Sequence, residues 1–169
     1  MKAKNWRAPE RPYTRPEYVH GAPQSRISKY TAGKYSDDYE YELHLIAEEE
    51  LQIRDVSLES ARIALTKKLS SALGNEGFFL ELKAHPHHIL RENKMIFGAH
   101  ADRLQEGMRR AFGKPVGRAA RVSSGSPVFR VLVKAQGLQV AKEALEIASK
   151  KLPKSYRIEI KRLQPEAAA

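Results

Sequence analysis

The side chains in this chain most able to do chemistry are cations, and they are concentrated in two segments. Residues 91–122 hold eight basic side chains (Arg91, Lys94, Arg103, Arg109, Arg110, Lys114, Arg118 and Arg121) against three acidic ones, with Gly98, Gly107, Gly113 and Gly117 interspersed. Residues 1–34 hold another eight (Lys2, Lys4, Arg7, Arg11, Arg15, Arg26, Lys29 and Lys34) against two acidic ones. Trp6, Tyr13, Tyr18, Tyr30 and Tyr35 lie among the second set, and Pro9, Pro12, Pro16 and Pro23 forbid a long helix there. Phosphates take up cationic charge, while aromatic rings and guanidinium planes stack on unpaired bases, so this mixture suits RNA. The bland alternative is a leader whose aromatics fold back onto the rest of the chain.

Other motifs invite chemistry and do not sustain it. His85-Pro-His-His88 could begin a metal site, but zinc takes about four ligands and no Cys or acidic cluster stands at a suitable spacing. Gly113-Lys-Pro-Val-Gly117 lacks the spacing of a phosphate-binding loop. Glu48-Glu-Glu50 reads as a solvated strand end, and Asp102 beside Arg103 as a local ion pair. No nucleophile, base and orienting residue can be assembled, so the sequence implies no enzyme, cofactor or metal.

The bulk properties agree. Thirty Lys and Arg against 20 Asp and Glu give a net charge of +10, which favours a polyanionic partner. The two basic segments carry +6 and +5, leaving the remainder close to neutral. No apolar stretch approaches the roughly 20 residues that span a bilayer, no signal peptide opens the chain, and a cytoplasmic location is expected. With no cysteine, stability must come from packing and from the partner. At 169 residues the chain can bury one core, so a single domain over 36–163 is expected, with a basic tail (1–35), an inserted basic loop (91–122) and a disordered end (164–169).

The elements that must position these cations emerge from an internal near-repeat. Leu58, Ala61, Ala64 and Leu65 match Leu138, Ala141, Ala144 and Leu145 at helical spacing. The stripes continue as Leu58, Ala61, Leu65, Leu69, Ala72 and as Leu138, Ala141, Leu145, Ala148, Leu152, predicting two amphipathic helices. Ser57 is a candidate N-cap, Gly74 a stop, and Pro153 lies just past the second helix. Alternating segments precede the helices (41–47 and 128–134) and follow them (78–83 and 156–161), with shorter pieces at 88–91 and 119–122. The unit is β-α-β used twice, which predicts an α+β, two-layer fold with both helices on one face of a mixed sheet. The stretch from Arg91 to Val122 is read mostly as a glycine-rich functional loop.

Several motifs resemble a known family. Pro12-Tyr-Thr-Arg-Pro-Glu-Tyr18, Ala61-Arg-Ile-Ala64, His85-Pro86, Leu90-Arg-Glu-Asn-Lys-Met95 and Ala101-Asp-Arg-Leu-Gln-Glu-Gly-Met-Arg-Arg-Ala-Phe-Gly-Lys-Pro-Val-Gly117 resemble the archaeal and eukaryotic ribosomal protein L-ten-e family, whose bacterial counterpart is L-sixteen. The likeness runs from about Arg11 to Ile160. It implies a hammerhead-like α+β domain bound to large-subunit ribosomal RNA among neighbouring ribosomal proteins, with a basic loop directed toward tRNA near the peptidyl-transferase region.

Carried onto this sequence, the resemblance makes Asp102, Arg103, Gln105, Gly107, Met108, Arg109 and Arg110 the loop that approaches tRNA. It assigns Arg7, Arg11, Tyr13, Arg15, Tyr18, Lys114, Arg118 and Arg121 to ribosomal RNA, and Arg26, Arg91 and Lys94 of the same basic segments are expected to bind it as well. His100 departs from the family's usual glycine, and the short segment after Lys161 is of archaeal rather than eukaryotic type. A free-standing RNA-binding regulator or processing factor is the main alternative. Neither reading involves a membrane or a small-molecule substrate.

Overall fold

The structure, a computed structural model, describes residues 8–93 and 112–163. Among the described residues, eight strands and two α-helices occur in the order β1 (Thr31–Gly33), β2 (Tyr41–Ala47), β3 (Leu51–Arg54), α1 (Asp55–Leu73), β4 (Phe78–Leu82), β5 (His88–Glu92), β6 (Lys114–Val122), β7 (Pro127–Val133), α2 (Leu138–Ser149) and β8 (Tyr156–Arg162). The strands form a five-stranded sheet, β1-β4-β7-β2-β8, and a three-stranded one, β3-β6-β5.

The duplicated β-α-β pattern is present, but its two copies are interleaved. The unit β2-α1-β4 has β7 between its strands, and β7-α2-β8 has β2 between its own. Each unit keeps its two strands parallel to one another while every hydrogen-bonded neighbour is antiparallel, so the expected mixed sheet is an antiparallel one. This is the split β-α-β arrangement.

Side-chain alternation decides which face the helices cover. Leu43 and Leu45 of β2, Phe78, Leu80 and Leu82 of β4, and Phe129, Val131 and Val133 of β7 are all buried, in a single cluster with Leu58, Ala61, Leu65 and Leu69 of α1 and Ala141, Ala144, Leu145 and Ala148 of α2. The small Ala61, Ala141 and Ala144 belong to the same buried cluster, and truncating one of its leucines costs about 2–5 kcal/mol. The opposite face is polar. There Arg130 bridges Glu42 and Glu81 on its two neighbouring strands, and both carboxylates share its guanidinium.

Several boundaries differ from expectation. Helix α1 begins at Asp55, so Ser57 is not its N-cap; Ala72 in its last turn is exposed; Gly74 does end it, at φ +72. The three-stranded sheet was not anticipated, and Leu51, Ile53, Ala120 and Val122 join it to the same core. Residues 31–33, assigned to the tail, are the edge strand of the larger sheet, paired with β4. Residues 114–122, read as the return of a loop with a strand only at 119–122, form one nine-residue strand.

Candidate nucleic-acid interface

Strands β5 and β6 form an antiparallel ribbon whose open end carries residues 94–111. Its last registered pair is Glu92 with Lys114. Gly113 sits at that mouth with φ +82, and a Cβ there would lie 2.5 Å from the carbonyl carbon of Glu92 and 2.7 Å from the nitrogen of Asn93. Only glycine lets the two strands approach so closely in this conformation. Arg91, on β5, stacks on Tyr13 with its guanidinium carbon 4.2 Å from the ring centroid, and stands 5.7 Å from that of Phe112. Both contacts are within cation–π range. The guanidinium thus lies within reach of a ring of the N-terminal segment and, less closely, of a ring at the ribbon mouth, where Phe112 is 81% exposed.

Several tethers fix the N-terminal segment against this ribbon. The Tyr13 N–H donates to His88 Nδ1 at 3.1 Å, and the Ile89 N–H donates to the Tyr13 carbonyl at 2.8 Å. Arg118 Nε donates to the Pro23 carbonyl at 2.7 Å. The Arg26 N–H donates to Asp55 Oδ2 at 3.0 Å, and Asp55 Oδ1 also accepts from the Val56 N–H at 2.8 Å. A carboxylate in this first turn of α1 is favoured by the helix dipole. Val19 and Ile27 of the segment are themselves buried.

His88 is the buried centre of these contacts. Because Nδ1 accepts a hydrogen bond, the neutral ring carries its proton on Nε2, which faces the Glu10 carboxylate at 3.8 Å. Burial, with Arg121 and Arg91 nearby, holds its pKa below the ordinary histidine value despite the opposing pull of Glu10.

The sequence-derived residues fall into three groups. Arg11, Arg15, Tyr18, Arg26, Lys114 and Arg121 are exposed around the ribbon and the N-terminal segment. Tyr13, Arg91 and Arg118 are half-buried, tied up in the contacts above, so part of their role is to hold the surface together. Arg7, Lys94, Asp102, Arg103, Gln105, Gly107, Met108, Arg109 and Arg110 lie outside the described residues, as do His100 and 164–169. Sequence reasoning missed His88, Asp55 and Phe112 as organisers. A histidine opening the short apolar run His88-Ile-Leu90 was the one available signal.

A cleft of about 490 Å³ between the first turns of α1 and β6 is lined by Pro23, Arg26, Arg54, Asp55, Val56 and Val116, among others. Its two carboxylates are engaged structurally, Asp55 by the Arg26 and Val56 N–H groups and Glu59 by Arg62 and Ser28. The three histidines of 85–88 divide between two faces: His85 and His87 are exposed and His88 buried. Among the described residues no group of three or more metal-ligating side chains is gathered. Glu49 of the Glu48–Glu50 turn is paired with Lys154 Nζ at 2.5 Å.

A basic ribbon held on a near-neutral α+β body suits a polyanionic partner, and comparison with known proteins gives the class of protein. The family model described as "Ribosomal protein L16p/L10e" matches residues 8–159. The chain is 50% identical to the large ribosomal subunit protein uL16 of Hyperthermus butylicus over 158 residues, 94% of this chain and 88% of that one. It is 48% identical to the uL16 protein of Archaeoglobus fulgidus over 160 residues (95% and 92%), and 52% identical to that of Sulfolobus acidocaldarius over 159 residues (93% and 90%). The chain belongs to the L16p/L10e family of ribosomal proteins. It is accordingly a structural constituent of the large subunit, of archaeal type and cytoplasmic, and not an enzyme.

Proposed function

We propose that this chain binds large-subunit ribosomal RNA along the face formed by its N-terminal segment and the β5–β6 ribbon, and that residues 102–110 help to position tRNA near the peptidyl-transferase region. The observation that carries the reading is the placement of Arg91 between Tyr13 and Phe112, at the mouth from which 94–111 departs. A planar cation pre-stacked on one ring keeps N–H donors for phosphate and loses little freedom on binding.

The mechanism is electrostatic and geometric. The near-neutral core sets the position of two basic arms, which make the contacts. With about eight cations on phosphates, affinity for single-stranded RNA falls with a log–log salt slope near −6.

The test is a deletion of residues 103–110 in cells that depend on the variant. Large subunits should incorporate the shortened protein at near-normal stoichiometry, because Gly113 and the β5–β6 register lie outside the deletion, and tRNA accommodation should slow. Normal translation by fully incorporated deletion subunits refutes the tRNA role; absence of the intact protein from large subunits on a sucrose gradient refutes the whole reading.

A further inference from the structure

Around His85 and His87, between β4 and β5, lies a second grouping, to which the N-terminal segment contributes Tyr30 and β6 contributes Arg121. The connection from β4 to β5 runs extended, so Lys83, His85 and His87 project outward while Ala84, Pro86 and His88 point in. Tyr30 stands across from it, because the Leu82 N–H donates to the Tyr30 carbonyl at 2.8 Å. The result is a ladder of three rings. Tyr30 and His85 have centroids 4.8 Å apart at 31°, and His85 and His87 are 6.0 Å apart at 27°. Both spacings lie in the range of about 4.5–7 Å over which flat rings stack offset. A hydrogen bond from the His87 N–H to the His85 carbonyl, at 3.0 Å, fixes the spacing of the two imidazoles through the backbone.

His85 and His87 border a cleft of about 410 Å³, lined also by Lys83, Arg121, Ser126 and Pro127 together with Ala84 and Val122, and Tyr30 backs His85 from outside that lining. Two cations stand at its edge, its floor is small and apolar, and no carboxylate lines it. Lys83 Nζ meets Glu81 at 2.8 Å, but an ammonium has three donors, and that contact holds the head group in place. A flat, π-faced group with an anion attached matches such a surface; a peptide would need a deeper apolar pocket for its side chains.

We propose that Tyr30, His85 and His87 form a stacking platform for one unpaired base of an RNA strand, whose phosphate is received by Lys83 and Arg121. The site rests on the RNA-binding reading above and deepens it: it names a single-stranded nucleotide as the ligand at the junction of the two sheets, with Lys83, His85 and His87 outside the basic arms joined by Tyr30 and Arg121 from within them.

The experiment uses the full chain and a short single-stranded RNA carrying one 2-aminopurine, titrated at low salt. Stacking quenches the fluorescence of that base, so binding by the unaltered protein should quench it. His85→Ala with His87→Ala should weaken binding about tenfold and abolish the quench. His85→Phe with His87→Phe, which keeps the rings and removes the ring nitrogens, should retain both and serves as the control for folding. Wild-type-like quenching by the alanine variant overturns the site, as does loss of quenching in the phenylalanine variant equal to that in the alanine one. Absence of quenching in the unaltered protein overturns the nucleotide site even where the protein co-sediments with large subunits; failure to co-sediment overturns the wider reading instead.

Discussion

Tyr13 and His88, 75 positions apart, are joined by a hydrogen bond from the Tyr13 N–H to the His88 ring, so the N-terminal segment is fastened to the β5–β6 ribbon through an imidazole that must stay neutral. Protonation places a hydrogen on Nδ1 and ends that bond. Since the folded pKa is held below the unfolded value of about 6.5, the unfolded chain binds the proton first. The stabilisation is therefore complete above about pH 6.5 and is lost as pH falls below it toward the folded pKa. Thermal midpoints measured between pH 7.5 and 5 should decline, and His88→Asn, which keeps an acceptor without titrating, should flatten that decline. An equal slope in both proteins would dismiss the latch.

Glu59 and Arg62 form a second pH-sensitive element, on α1. Arg62 donates to both Glu59 oxygens, through Nε at 2.9 Å and Nη2 at 2.7 Å, and Nη2 also donates to Ser28 Oγ at 3.0 Å. Hydrogen bonding from Arg62 holds the Glu59 carboxyl below the usual carboxylate range, so this contribution is present above about pH 4.5 and disappears as acidification protonates Glu59. Glu59→Gln removes the charge opposite a buried guanidinium and should cost about 1–3 kcal/mol in denaturant unfolding at neutral pH. An unchanged midpoint would show that solvent already satisfies Arg62.

At Gly113 the prediction concerns backbone alone. Gly113→Ala forces a Cβ against Glu92 and Asn93 in a left-handed conformation, which should cost about 1–3 kcal/mol. Amide exchange should accelerate in β5 and β6 and remain slow in the five-stranded sheet. Uniform acceleration across both sheets would mean that the ribbon does not open separately.

Arg91→Lys separates stacking from charge. The charge is kept, so the salt slope of RNA binding should not change. The planar guanidinium over Tyr13 is lost, and affinity should fall by roughly two- to fivefold. A parallel fall in slope would indicate that Arg91 acts as a phosphate contact only.

Much of this organisation was legible because it rests on periodicity. The stripes Leu58–Leu69 and Ala141–Ala148 marked the helices, and the alternation of Phe78, Leu80 and Leu82 marked β4, since burying one face leaves a repeat in the sequence. Strand β1, three residues ending in glycine, is too short to show a period, and β3 runs straight into α1. Pro115 and Gly117 disguised β6 as a loop. Cations were recognisable by type, but the partner of Arg118 is a carbonyl 95 residues away, and no local pattern encodes such a contact. The antiparallel order escaped for a related reason: two copies of one motif look the same whether they lie side by side or interdigitate.

That interdigitation bears on how the chain is made. As the polypeptide emerges N-terminus first, β2 and β4 are available early, but the strand that must lie between them, β7, ends only at Val133. Until then β2 has no strand joining it to the β1–β4 pair, and the apolar face of α1 has no complete surface to pack against. Closure of the five-stranded sheet is an event of late synthesis, and the basic segment 94–111 has already left the exit before the body that will anchor it exists.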